Sequence, residues 1–349
     1  MKTTVISVKG DAPDSALLRP PAELVRQGEV VGFPTETVYG LAARADRAEA
    51  LDRLRQLKGR AGEHHFTVHL ADAQALDREP LTVSPVARRL VRRCWPGPLT
   101  LVLPQEGGGT VGYRVPGHEV ARAFLRLVEA PVVGTSANPT GEPPAVDAEG
   151  VLRYFAGRIP SLIDSGPARF AQASTVVKVE GGRWEVLRVG AVSEEKVRRA
   201  ASVVILIVCT GNSCRSPMAT HILKQLIAED RHIGVDEVEK AGYSIISAGT
   251  AGGFGGATPE AMQVVREMGG DISGHLATGL EREMVEHADH IVAMTESHRQ
   301  RITELVPEAD RRTIVLDIPD PIGGDVTVYR RCAHQIRTQL KPNLHGLLA

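Results

Sequence analysis

The sequence predicts an α/β protein of two domains, the second of which is a doubly wound parallel sheet that carries a phosphate-binding loop. The length of 349 residues exceeds what one hydrophobic core usually serves and suits two domains. Short apolar runs alternate with helix-like segments along the chain, as in layered α/β or α+β domains. The charged segment 193–201 precedes the uninterrupted apolar run 203–208. We therefore place the boundary near residue 200, with domains at 1–199 and 200–349.

Composition limits the class of protein. Hydrophobic residues make up 42% and charged residues 24% of the chain, which is ordinary for a soluble globular protein. No apolar stretch is long enough to span a bilayer, and the N-terminus lacks the apolar region of a signal peptide. The four cysteines form no C-x-x-C pair, and a net charge of −1 does not by itself argue for nucleic-acid binding. We expect a cytoplasmic protein with no membrane partner, and we assign no residue as a metal ligand.

The first half mixes strand and helix signals in the manner of an α/β domain. Period-2 alternation or short apolar runs indicate strands, whereas apolar residues at spacings of three and four indicate helices. Prolines and glycines separate these segments. The predicted strands are residues 29–33, 66–70 and 99–103, and the predicted helices are residues 48–57 and 86–94.

The second half alternates strands and helices more regularly. Its first strand is apolar at every position, as expected for a parallel strand that is buried on both faces. Alternation of this kind predicts a parallel sheet with helices on both sides. The predicted strands are 203–208, 244–247, 290–294 and 313–316, and the predicted helices are 217–229, 259–268, 280–288, 296–305 and 326–340.

The most specific motif runs from Cys209 to Pro217, between the first of these strands and the helix that follows. A loop at a helix N-terminus presents backbone N–H groups to an anion, and it favours the thiolate of a cysteine at its mouth. Arg215 can bind two oxygens of a transferring phosphoryl group in its planar fork. Asp320, on a late loop at the carboxyl side of the sheet, can protonate the leaving group. These residues predict catalysis through a phosphocysteine.

The order of these motifs resembles the low-molecular-weight protein phosphatases. The Cys-x5-Arg-Ser loop, the run 247–250, Ser273-Gly274-His275 and the late Asp320-Pro321 appear in the order of that family, over residues 203–341. The resemblance implies that Cys209 is the nucleophile, Arg215 the phosphate ligand and Asp320 the general acid, without a cofactor. The residues that it implies as support for the phosphate loop are Thr210, Gly211, Asn212, Ser213, Cys214, Ser216, Ser247 and His275.

The substrate of this half is less closely specified. Tyrosine phosphatases of the family tend to have an aliphatic residue where Ser213 stands and a tyrosine where Ile322 stands. The runs 209–215 and 317–324 resemble protein-arginine phosphatases more closely, so we favour phosphoarginine over phosphotyrosine in a phosphoprotein substrate. An arsenate reductase is a third alternative, but it needs further resolving cysteines. Cys214 is either a buried packing residue or a resolving thiol that protects Cys209 from oxidation.

Several motifs of the first half gain meaning only as an ordered set. These are Pro34-Thr35-Glu36-Thr37, Lys58-Gly59-Arg60, Arg114-Val115-Pro116, the run 135–141 and Arg188-Val189-Gly190. Together they resemble the YrdC-type threonylcarbamoyl-AMP synthases over residues 15–195, and they imply a YrdC-like α/β domain. One departure is the run 61–66, which lacks the proline that usually follows the arginine.

The resemblance implies synthesis of threonylcarbamoyl-AMP from L-threonine, bicarbonate and ATP, with Mg²⁺ on the ATP phosphates. The product would be passed to tRNA or to the downstream threonylcarbamoyl-transferase complex. The alternative is a module that only binds a nucleotide or RNA. The residues implied for ATP are Lys58, Arg60, Thr110, Ser136, Asn138 and Arg188, and those implied for threonine are Thr35, His69, Arg114, Gly134 and Ser174.

Overall fold

The computed structural model describes residues 2–8, 13–59, 66–253 and 255–348. The chain divides into two compact units, Met1–Ala201 and Ser202–Ala349. Both units combine a sheet with helices, which confirms the predicted α/β class. In the described part of the chain, no helix has both the length and the apolar character needed to cross a membrane.

The first unit is built on a sheet of ten strands. Its strands are β1 Thr4–Ser7, β2 Val31–Phe33, β3 Gly40–Arg44, β4 Thr67–His69, β5 Leu99–Pro104, β6 Thr110–Arg114, β7 Val132–Ser136, β8 Ser161–Asp164, β9 Thr175–Glu180 and β10 Arg183–Arg188. Its helices are α1 Ser15–Arg26, α2 Ala48–Lys58, α3 Pro85–Cys94, α4 Glu119–Val128, α5 Ala148–Phe155 and α6 Glu194–Ala201.

The order of the strands is β1-β8-β2-β3-β7-β4-β6-β5-β9-β10, and the sheet is mixed. The pairs β4–β6 and β5–β9 are parallel, whereas β3–β7, β4–β7 and β5–β6 are antiparallel. Because β4 and β6 are parallel with His69 opposite Arg114, both strands end at the same edge of the sheet. That edge is where the cavity described below lies.

The second unit has a parallel sheet of four strands in the order β12-β11-β13-β14. Its strands are β11 Val203–Cys209, β12 Tyr243–Gly249, β13 His290–Ala293 and β14 Thr313–Val315. Its helices are α7 Arg215–Arg231, α8 Pro259–Glu267, α9 Arg282–His287, α10 Glu296–Leu305, α11 Val326–Leu340 and α12 Leu344–Leu347.

Strand β11 separates two hydrophobic cores. Ile205 and Ile207 belong to the core that includes Met218 of α7, and Leu206 and Val208 belong to the core that includes Ile302 of α10. Since successive side chains of a strand point to opposite faces, these two cores lie on the two sides of the sheet. The doubly wound arrangement is therefore as predicted.

The helix after the phosphate loop begins earlier than the predicted residue 217. It starts at Arg215 and runs to Arg231, because Pro217 occupies the third helical position, where a missing backbone N–H breaks no intrahelical bond. The early start matters for the site, since it places Arg215 in the first helical turn.

Candidate active sites

A cavity of about 550 Å³ lies at the edge of the first sheet where β4 and β6 end. Its walls include every described residue predicted for ATP except Lys58, and every residue predicted for threonine. These lining residues are Thr35, His69, Thr110, Arg114, Gly134, Ser136, Asn138, Ser174 and Arg188. Two groups predicted separately, one for a nucleotide and one for an amino acid, thus surround one space.

Arg114 is held by a buried carboxylate that the sequence motif did not identify as functional. Its Nη2 donates to Oε1 of Glu36 at 2.7 Å and to Oγ1 of Thr37 at 2.9 Å. The side chains of both Arg114 and Glu36 are 6% exposed, and Oε2 of Glu36 has no hydrogen-bond partner among the described residues. A buried ion pair of this kind fixes the direction of the guanidinium at the cavity wall.

His69 has a defined tautomer. Its Nδ1 lies 3.0 Å from the carbonyl oxygen of Thr67, and since a carbonyl can only accept, Nδ1 carries the hydrogen. Burial, followed by the neighbouring charge of Arg114, lowers the pKa of His69 to about 4. The ring is therefore neutral at pH 7, and Nε2 is an acceptor. A Cβ at Gly134 would lie 2.7 Å from this ring, so only glycine fits there.

Lys58 supports the cavity wall from behind. It is 1% exposed, and its Nζ donates to the carbonyl oxygen of Ser136 at 2.7 Å and to Oδ1 of Asn138 at 3.0 Å. These bonds join the Lys-x-Arg and Ser-x-Asn motifs in space. Arg60, the other cation of the first motif, lies outside the described residues.

Arg188 supplies a second cation at the cavity. Its Nη2 donates to the carbonyl oxygen of Ser174 at 2.9 Å, and Oγ of Ser174 lies 2.9 Å from Oγ1 of Thr100. Burial lowers the pKa of Arg188, and the neighbouring Arg114 lowers it further. Two guanidinium groups that are close enough to repel each other make this cavity suitable for an anion.

No group of three or more His, Cys, Asp or Glu side chains is placed to hold a metal ion in the part of the chain that the structure describes.

Thr35 lines the same cavity, but its hydroxyl is already used within its own loop. Oγ1 of Thr35 donates to the carbonyl oxygen of Val38 at 2.6 Å and lies 2.8 Å from Oγ1 of Thr37. The same oxygen accepts from the backbone N–H groups of Thr37 and Val38 at 3.2 and 3.3 Å, so Thr35 offers a ligand its methyl group rather than its hydroxyl.

In the second unit, the phosphate loop starts where β11 ends. Cys209 is 2% exposed, and its Sγ accepts from the backbone N–H of Asn212 at 3.2 Å and lies 3.0 Å from Oγ of Ser216. Thr210 and Gly211 follow in the loop, and a Cβ at Gly249 would lie 2.6 Å from the carbonyl oxygen of Thr210. The loop thus directs a backbone N–H and a hydroxyl group at the sulfur of Cys209.

Asn212 holds the loop together. It is fully buried with a positive φ of 54°, and its Nδ2 donates to Oγ of Ser216 at 2.8 Å and to Oγ of Ser247 at 2.9 Å. Its carbonyl oxygen accepts from Nε2 of His275 at 2.7 Å. Asn212 thus links strand β12, helix α7 and the segment after α8. These bonds stabilise its backbone conformation, which is otherwise costly.

Arg215 and Asp320 form an ion pair, with Nη2 of the arginine donating to Oδ2 of the aspartate. The same Nη2 donates to Oγ1 of Thr210 at 2.9 Å, and Nη1 donates to the carbonyl oxygen of Ile318 at 3.2 Å. Arg215 is 3% exposed. A phosphoryl group entering the loop would have to compete with the carboxylate for this guanidinium.

Cys214 and Ser213 complete the loop. Sγ of Cys214 lies 3.3 Å from the hydroxyl of Tyr329 and 3.6 Å from Oγ of Ser213. Burial, followed by the hydrogen bond with Cys214, raises the pKa of Tyr329 to about 12. All four cysteines are free thiols. With its thiol reduced, Cys214 packs against Tyr329 on α11.

Sequence reasoning missed Glu36, Thr37, Tyr329 and His298. Each acts on a predicted residue that is distant in sequence: Glu36 is 78 positions from Arg114, and His298 is 88 positions from Thr210. Glu36 and Thr37 gave a signal, since both stand in the Pro34–Thr37 motif.

Known proteins resemble both units. Residues 204–348 match the family model described as low molecular weight phosphotyrosine protein phosphatase. Residues 23–190 match the Sua5/YciO/YrdC model, described as telomere recombination.

Threonylcarbamoyl-AMP synthase of Pyrococcus abyssi is 35% identical over 206 residues, which are 56% of this chain and 60% of that protein. The chain thus spans less than two thirds of the length of this relative. The enzyme of the same name from Halorhodospira halophila is 34% identical over 175 residues, which are 48% of this chain and 90% of that protein. The solved structure of P. abyssi Sua5 complexed with L-threonine has a TM-score of 0.54 at 24% identity, covers 90% of this chain and 99% of that chain, and has a similar fold. The chain therefore belongs to the threonylcarbamoyl-AMP synthase family through its first unit, and it carries a low-molecular-weight phosphatase domain in its second.

Proposed function

We propose that the first domain, residues 1–199, synthesises threonylcarbamoyl-AMP from L-threonine, bicarbonate and ATP. The observation that carries this proposal is the cavity of about 550 Å³, whose walls contain residues predicted to bind ATP and residues predicted to bind threonine. A space of this size suits two small ligands that must react with each other. The nitrogen of threonine attacks the carbon of bicarbonate with loss of water, and the resulting carbamate oxygen attacks the α-phosphorus, which releases pyrophosphate.

The residues of the cavity have distinct parts in this reaction. Arg114, fixed by Glu36, binds the threonine carboxylate. Nε2 of His69 accepts a hydrogen bond from the threonine amino group, because its neutral tautomer leaves a lone pair there. Arg188 neutralises phosphate charge, and Mg²⁺ enters with ATP as part of the substrate.

The other predicted binding residues are likewise assigned either to ATP or to threonine. Lys58 contributes to ATP binding by positioning Ser136 and Asn138 in the cavity wall. Arg60 contacts the phosphates of ATP, as the sequence predicts. The ligands proposed for ATP besides Arg188 are Thr110, Ser136 and Asn138, and those proposed for threonine besides His69 and Arg114 are Thr35, Gly134 and Ser174.

Pyrophosphate release by the intact chain tests the proposal. Release should require threonine, bicarbonate and ATP together, and Lys58→Ala and Arg60→Ala should each reduce it at least 100-fold. Lys178→Ala, at an exposed ion pair with Glu180, is the matched control and should leave the rate unchanged. A chain that binds ATP or RNA but releases no pyrophosphate would instead be the nucleotide- or RNA-binding module.

The product determines the partners and the compartment that we propose. Threonylcarbamoyl-AMP is a mixed anhydride that must be transferred before water consumes it, so we propose tRNA or the downstream transferase complex as its recipient. Both lie in the cytoplasm, where the four free thiols of this chain would also stay reduced.

We propose further that the second domain, residues 200–349, is a phosphatase that acts on a phosphoprotein without a cofactor. The sulfur of Cys209 attacks phosphorus, and the leaving nitrogen or oxygen takes a proton from Asp320. Water, deprotonated by the same carboxylate, then hydrolyses the phosphocysteine. Two observations support this proposal: the donors on Sγ of Cys209, and the contacts of Arg215 with Asp320 and with Thr210 of the same loop.

The substrate that we favour is phosphoarginine. Ser213 offers a polar side chain at the loop, and Ile322, which is 68% exposed, replaces the aromatic ring that would stack on a phenol. Ser213→Ile should lower kcat/KM for a phosphoarginine peptide at least tenfold more than for a phosphotyrosine peptide. An unchanged ratio, or a wild type that prefers phosphotyrosine, would favour the tyrosine phosphatase instead.

Cys209→Ser separates the two activities. This variant should lose phosphatase turnover completely and keep threonine-dependent pyrophosphate release within about twofold. If a folded variant lost both activities, the assignment of one activity to each unit would be wrong.

A further inference from the structure

Thr210 follows the nucleophile, and its hydroxyl lies between two hydrogen-bonding groups. Oγ1 of Thr210 is 2.9 Å from Nη2 of Arg215 and 3.0 Å from Nε2 of His298. The Thr210 side chain is exposed at the loop, whereas His298 is 3% exposed. A buried imidazole is therefore directed at a hydroxyl that stands beside the phosphate-binding arginine.

The hydrogen bonds of His298 determine which of its nitrogens carries the hydrogen. Nδ1 lies 3.1 Å from the backbone nitrogen of Thr295, and a backbone N–H can only donate. Nδ1 is thus an acceptor, which also agrees with its distance of 2.7 Å from Oγ1 of Thr295. Burial, followed by the charge of Arg215, lowers the pKa of His298 to about 4. In the neutral ring Nε2 therefore carries the hydrogen and donates it to Thr210.

Thr210 consequently accepts twice. Arg215 has no acceptor atom, so its Nη2 also donates to Oγ1 of Thr210. A hydroxyl oxygen has two lone pairs and one hydrogen, and here both lone pairs are occupied. Within the described part of the chain no acceptor takes the hydroxyl hydrogen of Thr210. The hydroxyl is thereby restricted to donating, at a point next to the group that binds phosphate.

We propose that the hydroxyl of Thr210 donates a hydrogen bond to a phosphoryl oxygen of the substrate, and that His298 is the positioning residue that orients this donor. The inference rests on the proposed phosphatase function. It adds a directed side-chain donor to the backbone N–H groups of the loop and the guanidinium of Arg215. A phosphoryl oxygen is anionic, so it complements a hydroxyl that can only donate.

Binding of inorganic phosphate to the intact chain, measured by calorimetry, tests the donor without requiring turnover. Thr210→Val removes the hydroxyl at nearly constant shape and should weaken phosphate binding about tenfold. Thr210→Ser keeps the hydroxyl and should bind within about twofold of wild type. Equal affinities for the valine and serine variants would overturn the inference.

The role of His298 is tested through Thr210. His298→Ala should weaken phosphate binding about as much as Thr210→Val, and the double variant should be no weaker than either single variant, because both remove the same donor. His298→Gln places an amide N–H near the position of Nε2 and should restore most of the affinity. His221→Ala is the matched control, since His221 is another buried imidazole of this unit, on α7, and it should leave phosphate binding unchanged.

The outcomes distinguish a failure of the inference on Thr210 and His298 from a failure of the proposed phosphatase function. An additive double variant would mean that His298 acts independently of Thr210, which contradicts its positioning role. A wild type that binds phosphate and hydrolyses an aryl phosphate, with Thr210→Val unaffected, refutes this inference alone. A wild type that does neither overturns the proposed phosphatase and the inference with it.

Discussion

Replacing Glu36 by glutamine should destabilise the first unit by about 3 kcal/mol, at the lower end of the 3–5 kcal/mol typical for breaking a buried ion pair. Glutamine keeps the shape and one acceptor for Nη2 of Arg114, which lies 2.7 Å from the carboxylate in the native chain, but it removes the charge. Arg114 would then remain buried at 5% exposure with the cation of Arg188 nearby. The cost is therefore that of an uncompensated buried charge.

Tryptophan fluorescence during urea denaturation of the intact chain measures this effect. Both tryptophans, Trp95 and Trp184, belong to the first unit, so the signal reports that unit alone. Glu23→Gln is the matched control, because Glu23 pairs with Arg26 at 3.3 Å while 52% exposed, and it should cost less than about 0.5 kcal/mol.

Glu36→Gln should also raise the KM for threonine about tenfold, since Arg114 loses the carboxylate that directs it. Equal stability losses for Glu36→Gln and Glu23→Gln would refute the reasoning, because the buried pair would then be worth no more than an exposed one. A destabilised variant with an unchanged KM would leave Glu36 a purely structural residue.

Three further predictions follow from distances and pKa values. Gly134→Ala should reduce threonine-dependent pyrophosphate release at least tenfold, because its Cβ would meet the His69 ring at 2.7 Å; wild-type rates would refute this. Asp320→Ala should slow the phosphatase roughly 10²–10⁴-fold for poor leaving groups and much less for good ones, and an equal loss for both would exclude its role as acid. His69 has its pKa lowered to about 4 against about 6.5 when unfolded, so the unfolded state binds more protons between these values. Its contribution to the first unit's stability is complete above pH 6.5 and is lost by pH 4, on the order of 3 kcal/mol; His69→Gln should remove this part of the pH dependence, and unchanged dependence would contradict it.

The sequence predicted the second unit more completely than the first. Strand β11 is seven residues long and apolar throughout, so its burial could be inferred from its composition. In the first unit, β2 and β4 have only three residues each, which is too short for an alternation to be recognised. The antiparallel pairing of β3 with β7 joins residues about ninety positions apart, and no local pattern encodes it.

In the candidate sites, too, some residues could be predicted from the sequence and others could not. Cys209, Arg215 and Arg114 stand in motifs and could be named in advance. His69, Thr110 and Ser174 stand in no motif and were implied only by the resemblance to a family. His298 was not anticipated, because only the folded chain brings it to Thr210. The position of Lys58 behind the cavity wall also depends on packing, which the spacing of a Lys-x-Arg pair does not reveal.

The ion pair between Arg215 and Asp320 makes the carboxylate an internal competitor for the phosphate loop. An incoming phosphoryl group gains the guanidinium only by displacing a side chain that is always present at high local concentration, so weak anions of the surroundings are at a disadvantage. In the phosphatase reaction that we propose, the same carboxylate would bind the arginine again after hydrolysis and favour departure of the product. Selectivity against free oxyanions and ease of product release would then both follow from the contact between Arg215 and Asp320.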